Sequence, residues 1–315
     1  TTYAPAPHYL TSKMRSLFLA NHEYSIFDMR RPDQVQIQVF APDVGGSIIY
    51  GASPAELISS YTGRTGRMRP LPDWIISGAI VGMQGGTERV REVWQQMQDY
   101  GTPLAGFWLQ DWVGQRTTDF GQRLWWNWEL DQERYPGWEQ LVADLNAAGV
   151  GVLTYVNPFL VDVADKPNAQ RNLFREAAER DYLVKNQAGE PYMLDQGGFE
   201  AALVDLTNRE ARAWLLDVLE TQVLGAGAWG WMADFGEGLP FDAVLSTGED
   251  PAAAHNRYPE DWAMLNQEAL MAAPGGGDLA FFMRSGFRSS PNFSTLFWLG
   301  DQLVSWDEHD GIKTA

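Results

Sequence analysis

Two aspartates stand directly after short apolar runs, at positions where a carboxylate could do chemistry. Asp234 follows the run Trp229–Ala233 and precedes Gly236 and Gly238, which predicts a buried strand that ends in a loop. Asp301 follows a second apolar run and a glycine, in the string Phe-Trp-Leu-Gly-Asp-Gln. Loops after the strands of α/β barrels face the active site. Two carboxyl groups placed there meet the minimum need of glycoside hydrolysis, in which one attacks the sugar carbon and the other protonates the leaving oxygen.

A third segment offers groups that could bind an anion. It runs Phe107-Trp-Leu-Gln-Asp-Trp-Val-Gly114 and then Phe120-Gly-Gln-Arg-Leu-Trp-Trp-Asn127. Gln110 brings an amide donor, Arg123 a planar guanidinium with several donors, and Trp126 an indole N–H. Each also has a plainer interpretation: an internal hydrogen bond for the glutamine, a surface ion pair for the arginine, and packing for the tryptophan.

The strings around the two aspartates resemble glycoside hydrolase family 31. They are Trp-Met-Ala-Asp-Phe-Gly-Glu for Asp234 and Phe-Trp-Leu-Gly-Asp-Gln for Asp301. With the third segment, the sequence is similar over nearly its whole length to the sulfoquinovosidases within that family. Those enzymes are retaining α-glycosidases that release sulfoquinovose, a glucose with a C6 sulfonate, from sulfolipid head groups. The resemblance implies that Asp234 is the nucleophile and Asp301 the general acid and base, with the two carboxyl groups ~5–5.5 Å apart.

The resemblance also implies a set of substrate-binding residues. Gln110, Arg123 and Trp126 match the sulfonate-binding signature of the sulfoquinovosidases. Arg284, at the end of an apolar run, matches a family arginine near the nucleophile and the sugar hydroxyls. Asp111 is expected to line the sugar subsite. A tyrosine and a histidine that the family contributes from its last barrel units have no match in this sequence.

Several of these positions stay open to other interpretations. Trp112 and Asn157 stand at predicted strand ends and are expected to line the sugar subsite. Glu237 lies close behind Asp234 and could compete for either catalytic role, although the motif match favours a loop or subsite role. For a lone aspartate at a strand end, the plainer interpretation is a turn or a helix cap.

Composition excludes several classes of protein. The 315 residues include 23 basic and 41 acidic side chains, and the net charge of −18 repels a nucleic-acid backbone. A sulfonate is repelled in the same way at long range, so its site needs a local cation, for which Arg123 is the candidate. There is no cysteine, and the four histidines are scattered without ligand spacing. We therefore predict no metal and no organic cofactor.

The predicted partner is a small anionic, sulfonated sugar. No apolar run reaches the ~18 residues of a membrane helix and no signal peptide opens the sequence, so we predict no membrane partner and a cytoplasmic location. The sequence leaves homo-oligomerisation open. Two other functions also stay open: an ordinary family α-glucosidase or α-xylosidase, and a catalytically silent, truncated fold that binds sugar.

Two parts of the chain precede the predicted barrel, a β-rich part and a linker. Residues 1–60 carry β-rich runs separated by Pro and Gly, which predict antiparallel strands. By the resemblance they form the last portion of an N-terminal β-sandwich domain. Within them, Ser53 and Pro54 predict the start of a short helix over Pro54–Ser60. Residues 61–72 are rich in Gly, Pro and Arg and predict a linker.

Residues 73–315 alternate apolar runs with helical patterns, which is typical of the βα units of an α/β fold. The predicted strands are Gly78–Met83, Ala105–Leu109, Val150–Val156, Trp229–Ala233, Leu279–Met283 and Thr295–Leu299. A closed (β/α)8 TIM barrel needs eight strands. We therefore predict a catalytic barrel of about six βα units that is incomplete at its C-terminus, as expected for a piece of a longer enzyme.

Overall fold

The computed structural model describes residues 3–311 and residue 313. Its first strands are β1 (His8–Thr11), β2 (Arg15–Leu19), β3 (Ser25–Arg31), β4 (Gln34–Val39) and β5 (Gly46–Tyr50). Strands β1, β2 and β5 form one antiparallel sheet in that order, and β3 and β4 form a separate hairpin. The predicted antiparallel strands are confirmed, while their membership of a β-sandwich stays a prediction.

Helix α1 (Pro54–Thr65) begins where the sequence predicts and ends later. The Ser53 side chain accepts a hydrogen bond from the Glu56 N–H, and the Glu56 carboxylate accepts one from the Ala52 N–H. Together these contacts satisfy donors that a helix start leaves unpaired. The predicted end at Ser60 is wrong, because the helix continues until Gly66, where φ is 93°. The connection to the next element is correspondingly shorter than the predicted linker.

Six strands of the remaining chain form one parallel sheet, in the order β16-β15-β14-β10-β7-β6. The strands that follow α1 are β6 (Ala79–Met83), β7 (Leu104–Leu109), β8 (Gln115–Thr118), β9 (Gly121–Leu124), β10 (Gly151–Val156), β11 (Phe159–Leu160), β12 (Met193–Asp195), β13 (Glu200–Leu203), β14 (Gly230–Ala233), β15 (Ala280–Met283) and β16 (Leu296–Phe297). All six predicted barrel strands are confirmed, although β16 is shorter than its apolar run. Parallel strands with helical connections confirm the predicted α/β class.

Helices cover the outside of this sheet. Those after α1 are α2 (Gly86–Asp99), α3 (Trp138–Ala147), α4 (Leu173–Glu179), α5 (Arg209–Val218) and α6 (Pro251–Ala272). Helix α3 packs on β10, and α6 packs on both β14 and β15. Within the described part of the chain, none of the helices has both the length and the apolar character that crossing a bilayer requires.

Two antiparallel additions, neither of them predicted from the sequence, interrupt the βα pattern. The hairpin β8–β9 follows β7, and a small sheet in the order β11-β13-β12 follows β10. Because both additions come after the carboxyl ends of parallel strands, they belong to the face of the sheet where the loops can build a site.

Hydrogen bonds from buried tryptophans fix the strand that carries Asp234. The Trp231 indole N–H, on β14, donates to the Asn266 amide oxygen of α6 at 2.6 Å, and the Asn266 amide nitrogen donates to the Trp262 carbonyl at 2.8 Å. The Trp262 indole N–H in turn donates to the Asp234 carbonyl at 3.2 Å. Helix α6 therefore holds both β14 and the first residue beyond it.

Replacing Asn266 by Ala is expected to lower the free energy of unfolding by about 1–3 kcal/mol, because it leaves the buried Trp231 N–H without its acceptor. Chemical denaturation followed by tryptophan fluorescence measures this change. Gln267→Ala is the matched control, since Gln267 is the neighbouring, partly exposed amide on the same helix. Equal losses for the two variants would contradict the assigned role of Asn266.

Candidate active site

A cavity of about 300 Å³ lies at the carboxyl ends of the parallel strands. The residues that line it are Trp108, Gln110, Gln122, Arg123, Leu124, Trp126, Tyr155, Gln196, Phe199, Met232, Asp234, Phe235, Arg284, Trp298 and Asp301. Of the residues predicted for the site, Asp111, Trp112 and Asn157 are not among them. The fold therefore brings both aspartates and all three sulfonate candidates to one place, although they come from distant parts of the chain.

Asp234 follows β14 directly and is only 6% exposed. The Tyr155 hydroxyl donates to its Oδ2 at 2.5 Å, and the Arg284 Nε lies 3.4 Å from its Oδ1. Burial raises the pKa of Asp234 above its usual value, while the positive charge of Arg284 and the hydrogen bond from Tyr155 act in the opposite direction. The buried carboxylate thus depends on these two partners to stay ionised.

The turn after Asp234 is held in an unusual backbone conformation. Phe235 has a φ of 56°, a region that residues other than glycine seldom adopt, and Gly236 has a φ of 110°. A Cβ on Gly236 would lie 2.5 Å from the Ser285 hydroxyl oxygen. That hydroxyl donates a short hydrogen bond to the Phe235 carbonyl. Strained residues of this kind concentrate at functional sites, where the surrounding contacts maintain them.

Arg284 connects Asp234 to Glu237. It follows β15, and its side chain is 14% exposed. Its Nη2 donates to the Glu237 Oε1. Its guanidinium carbon also lies 3.9 Å from the centre of the Phe235 ring and 4.9 Å from that of Tyr3. Glu237 is therefore engaged with the arginine, and it is not among the residues that line the cavity.

Asp301 occupies a different environment from Asp234. It lies beyond β16 in an exposed loop, directly after Gly300, whose φ is 110°. Asp301 lines the main cavity and also an adjoining one of about 440 Å³, which Tyr3 and Arg284 line as well. One aspartate is thus buried beside a cation, and the other stands where solvent and a leaving group can reach it.

The three sulfonate candidates present unused donors to the cavity. The Gln110 Oε1 accepts from the Gln84 amide at 2.8 Å, which leaves the Gln110 amide nitrogen available. The Arg123 Nη1 donates to the Gln122 carbonyl at 3.1 Å, and no carboxylate of the described residues pairs with this arginine. Trp126 packs against Phe199, with ring centres 5.0 Å apart, and is 7% exposed. A cation without a counter-charge suits an anionic ligand.

Asp111 does not line the cavity, and its predicted contact with substrate stays a prediction that this position does not favour. Its side chain is fully buried, and its Oδ2 accepts from the Arg134 Nε at 2.7 Å and from the Gly85 N–H at 2.9 Å. The Tyr135 hydroxyl donates to the other carboxylate oxygen. A position at a strand end fixes where the backbone lies but not the direction of the side chain, and here the carboxylate serves as a structural anchor.

Trp112 and Asn157 also lie outside the cavity lining, contrary to expectation, and both support Tyr155. The Trp112 indole N–H donates to the Tyr155 carbonyl at 2.8 Å, and the Asn157 amide donates to the Tyr155 hydroxyl at 3.2 Å. No sequence motif points to Tyr155 itself. Its position inside an apolar run favours a core role, and only the contact with Asp234 reveals another one.

Other cavity residues also escape sequence analysis. Gln122 has a weak signal, since it neighbours Arg123. Gln196 and Phe199 lie in the turn between β12 and β13 of the small sheet and lack any motif. Among residues 3–311 and 313, no cluster of three His, Cys, Asp or Glu side chains could hold a metal ion.

Sequence comparisons add independent findings. The profile of the glycosyl hydrolases family 31 TIM-barrel domain matches residues 71–312. Two curated proteins named sulfoquinovosidase, from Escherichia coli (strain K12) and Agrobacterium fabrum (strain C58), are each 36% identical to the whole chain. The matches cover 45% and 46% of those proteins, so the chain spans about half the length of the curated relatives it matches. The α-xylosidase XylQ of Lactiplantibacillus pentosus is 26% identical over 90% of the chain and 36% of its own length.

Solved structures show the same relationship. A family 31 sulfoquinovosidase from E. rectale, in complex with an aza-sugar inhibitor, superposes with a TM-score of 0.91 at 36% identity, over 99% of this chain and 46% of that one. A cycloalternan-degrading enzyme from Trueperella pyogenes superposes with a TM-score of 0.79 over 97% of this chain and 45% of that one. At 20% identity, the second match shows a shared fold alone.

Proposed function

The chain belongs to glycosyl hydrolase family 31, and from this premise we propose that it carries the catalytic centre of a retaining α-glycosidase that hydrolyses α-sulfoquinovosides, such as sulfoquinovosyl glycerol. One observation carries the proposal: the sulfonate candidates Gln110, Arg123 and Trp126 line the same cavity as Asp234 and Asp301. The names of the 36% identical relatives support the same substrate class.

In the first step, an Asp234 oxygen attacks the anomeric carbon while the glycosidic C–O bond breaks and Asp301 gives its proton to the departing oxygen. The product is a covalent glycosyl-enzyme. In the second step, Asp301 takes a proton from a water molecule, the water oxygen attacks the anomeric carbon, and the Asp234 carboxylate is released. Two displacements at one carbon give net retention.

The contacts of Asp234 suit this role. Tyr155 and Arg284 stabilise its negative charge before attack, and again when the carboxylate leaves the sugar. The sulfonate end needs its own positive charge, because the net charge of −18 repels an anion. Arg123 provides that charge, and Gln110 and Trp126 add directed donors.

Replacing Arg284 by Met is expected to move the acid limb of the pH profile of kcat/KM to higher pH. Asp234 must be ionised to attack, burial already raises its pKa, and loss of the neighbouring cation raises that pKa further. Rates measured across pH on an aryl α-sulfoquinovoside test this. Arg89→Met, which removes an exposed cation on α2, is the control and should leave the limb in place. An acid limb that does not move in Arg284→Met would contradict the assigned contact between Arg284 and Asp234.

The substrate proposal is tested by hydrolysis of an aryl α-sulfoquinovoside beside the matching aryl α-glucoside. A clear preference for the sulfonated sugar supports the proposal. A preference for the glucoside would favour the α-glucosidase or α-xylosidase alternative, which the 26% identity to an α-xylosidase supports. That result would leave the two aspartates in their roles. The domain division, a cytoplasmic location and homo-oligomerisation remain predictions.

A further inference from the structure

Arg116 lies beside the sulfonate candidates, and the proposed mechanism leaves it without a role. It belongs to β8 and stands directly opposite Arg123 of β9 in the antiparallel hairpin. Side chains of directly opposed residues share one face of such a pair, and like charges there repel each other. The hairpin therefore places two cations side by side, and one of them, Arg123, lines the cavity.

The guanidinium of Arg116 is held between two aromatic rings. Its central carbon lies 4.4 Å from the ring centre of Trp125 and 4.1 Å from that of Phe199. Its Nε and Nη2 atoms are buried and have no hydrogen-bond partner among the described residues. Burial also lowers the pKa of Arg116. Aromatic faces compensate part of the lost hydration, but they supply no negative charge.

An unpaired cation is unexpected in this protein. The chain has 41 acidic residues, yet no described carboxylate pairs with Arg116 or with Arg123. Leaving a partly buried cation without a counter-charge costs free energy, and so does placing two cations opposite each other. A bound anion relieves both costs at once, because it supplies the missing negative charge.

Phe199 connects Arg116 to the cavity. Its ring contacts the Arg116 guanidinium, lines the cavity, and packs edge-on against Trp126 with ring centres 5.0 Å apart. Arg116 is therefore separated from the ligand space by a single aromatic ring. The Arg116 charge and the charge of a bound anion would therefore be about one ring apart. In a partly buried region, the Coulomb attraction between two such unit charges is worth on the order of a tenfold change in affinity.

We propose that Arg116 is a specificity-determining residue: through Phe199 it adds positive potential to the Arg123 site and thereby favours a sulfonated over a neutral sugar. It does not touch the substrate, so it is a positioning residue and not a catalytic one. The inference rests on the proposed function, because it takes the sulfonate of the sugar as the anion.

The test compares Arg116→Met and Arg116→Lys with the unmodified protein on the aryl α-sulfoquinovoside and the aryl α-glucoside. In Arg116→Met we expect kcat/KM for the sulfonated substrate to fall by about tenfold, mainly through KM, while kcat/KM for the glucoside changes by less than about twofold. Arg116→Lys should restore most of the preference, because the charge returns without the planar shape. Arg89→Met removes one charge from the outer surface of α2 and should change neither value.

The ratio of the two kcat/KM values does not depend on the fraction of folded protein, so partial misfolding of a variant cannot mimic the result. Equal losses on both substrates, or none on either, would overturn the inference. The ratio in the unmodified protein tests the proposed function separately, since only that ratio shows whether the sulfonated sugar is preferred at all. Binding of free sulfoquinovose and of glucose, followed by tryptophan fluorescence, gives the same comparison without turnover.

Discussion

Asp234→Asn is expected to lower kcat for the aryl α-sulfoquinovoside by about 10⁴-fold or more, because an amide cannot form the glycosyl-enzyme bond. The amide can still occupy the position between Tyr155 and Arg284, so we expect the fold to persist. Stopped assays with high enzyme concentration measure the residual rate, and unfolding curves check the fold.

Two further variants make this result specific to the nucleophile. Asp234→Gly removes the carboxylate and opens space, so added azide should attack the anomeric carbon from the vacated side and give a β-glycosyl azide. Glu237→Gln alters the second acidic side chain of the same loop, which pairs with Arg284 and lies outside the cavity lining, and should cost far less. A Glu237 variant more damaging than Asp234→Asn would reverse the two assignments.

Arg123→Ala is expected to lower kcat/KM for the aryl α-sulfoquinovoside by about 100-fold and to change that for the aryl α-glucoside little. A hydrogen-bonded pair of opposite charges that loses one partner costs about 2–5 kcal/mol, and the neutral sugar has no sulfonate to lose. Initial rates on both substrates, measured on one preparation, provide the comparison.

Arg123→Lys separates the charge of the side chain from its shape. A lysine keeps the positive charge but loses the planar fork that can bind two sulfonate oxygens, so an intermediate loss is expected. If Arg123→Ala left the sulfoquinovoside rate unchanged, the substrate assignment would be wrong, even with both aspartates correct. The family membership would not be affected, since it does not depend on this arginine.

The six barrel strands were predictable because each is a short apolar run bounded by turn residues, a pattern typical of strands covered by helices. Tyr155 shows the limit of such patterns. The register pairs Val156 of β10 with Ala233 of β14, and this brings the Tyr155 hydroxyl to Asp234. No local feature of either strand predicts that contact, because the register depends on how β10 and β14 pair with each other.

The sequence by itself determined the α/β class, the positions of the barrel strands along the chain, and the two aspartates that follow apolar runs. Local patterns of burial and turn residues suffice for these, and motif similarity added Gln110, Arg123 and Trp126. Only the tertiary structure decided that the Asp111 carboxylate is bound by Arg134 outside the cavity. The physical reason is that side-chain direction and long-range contacts depend on how neighbouring elements twist and pair, which residue types along a single strand do not encode.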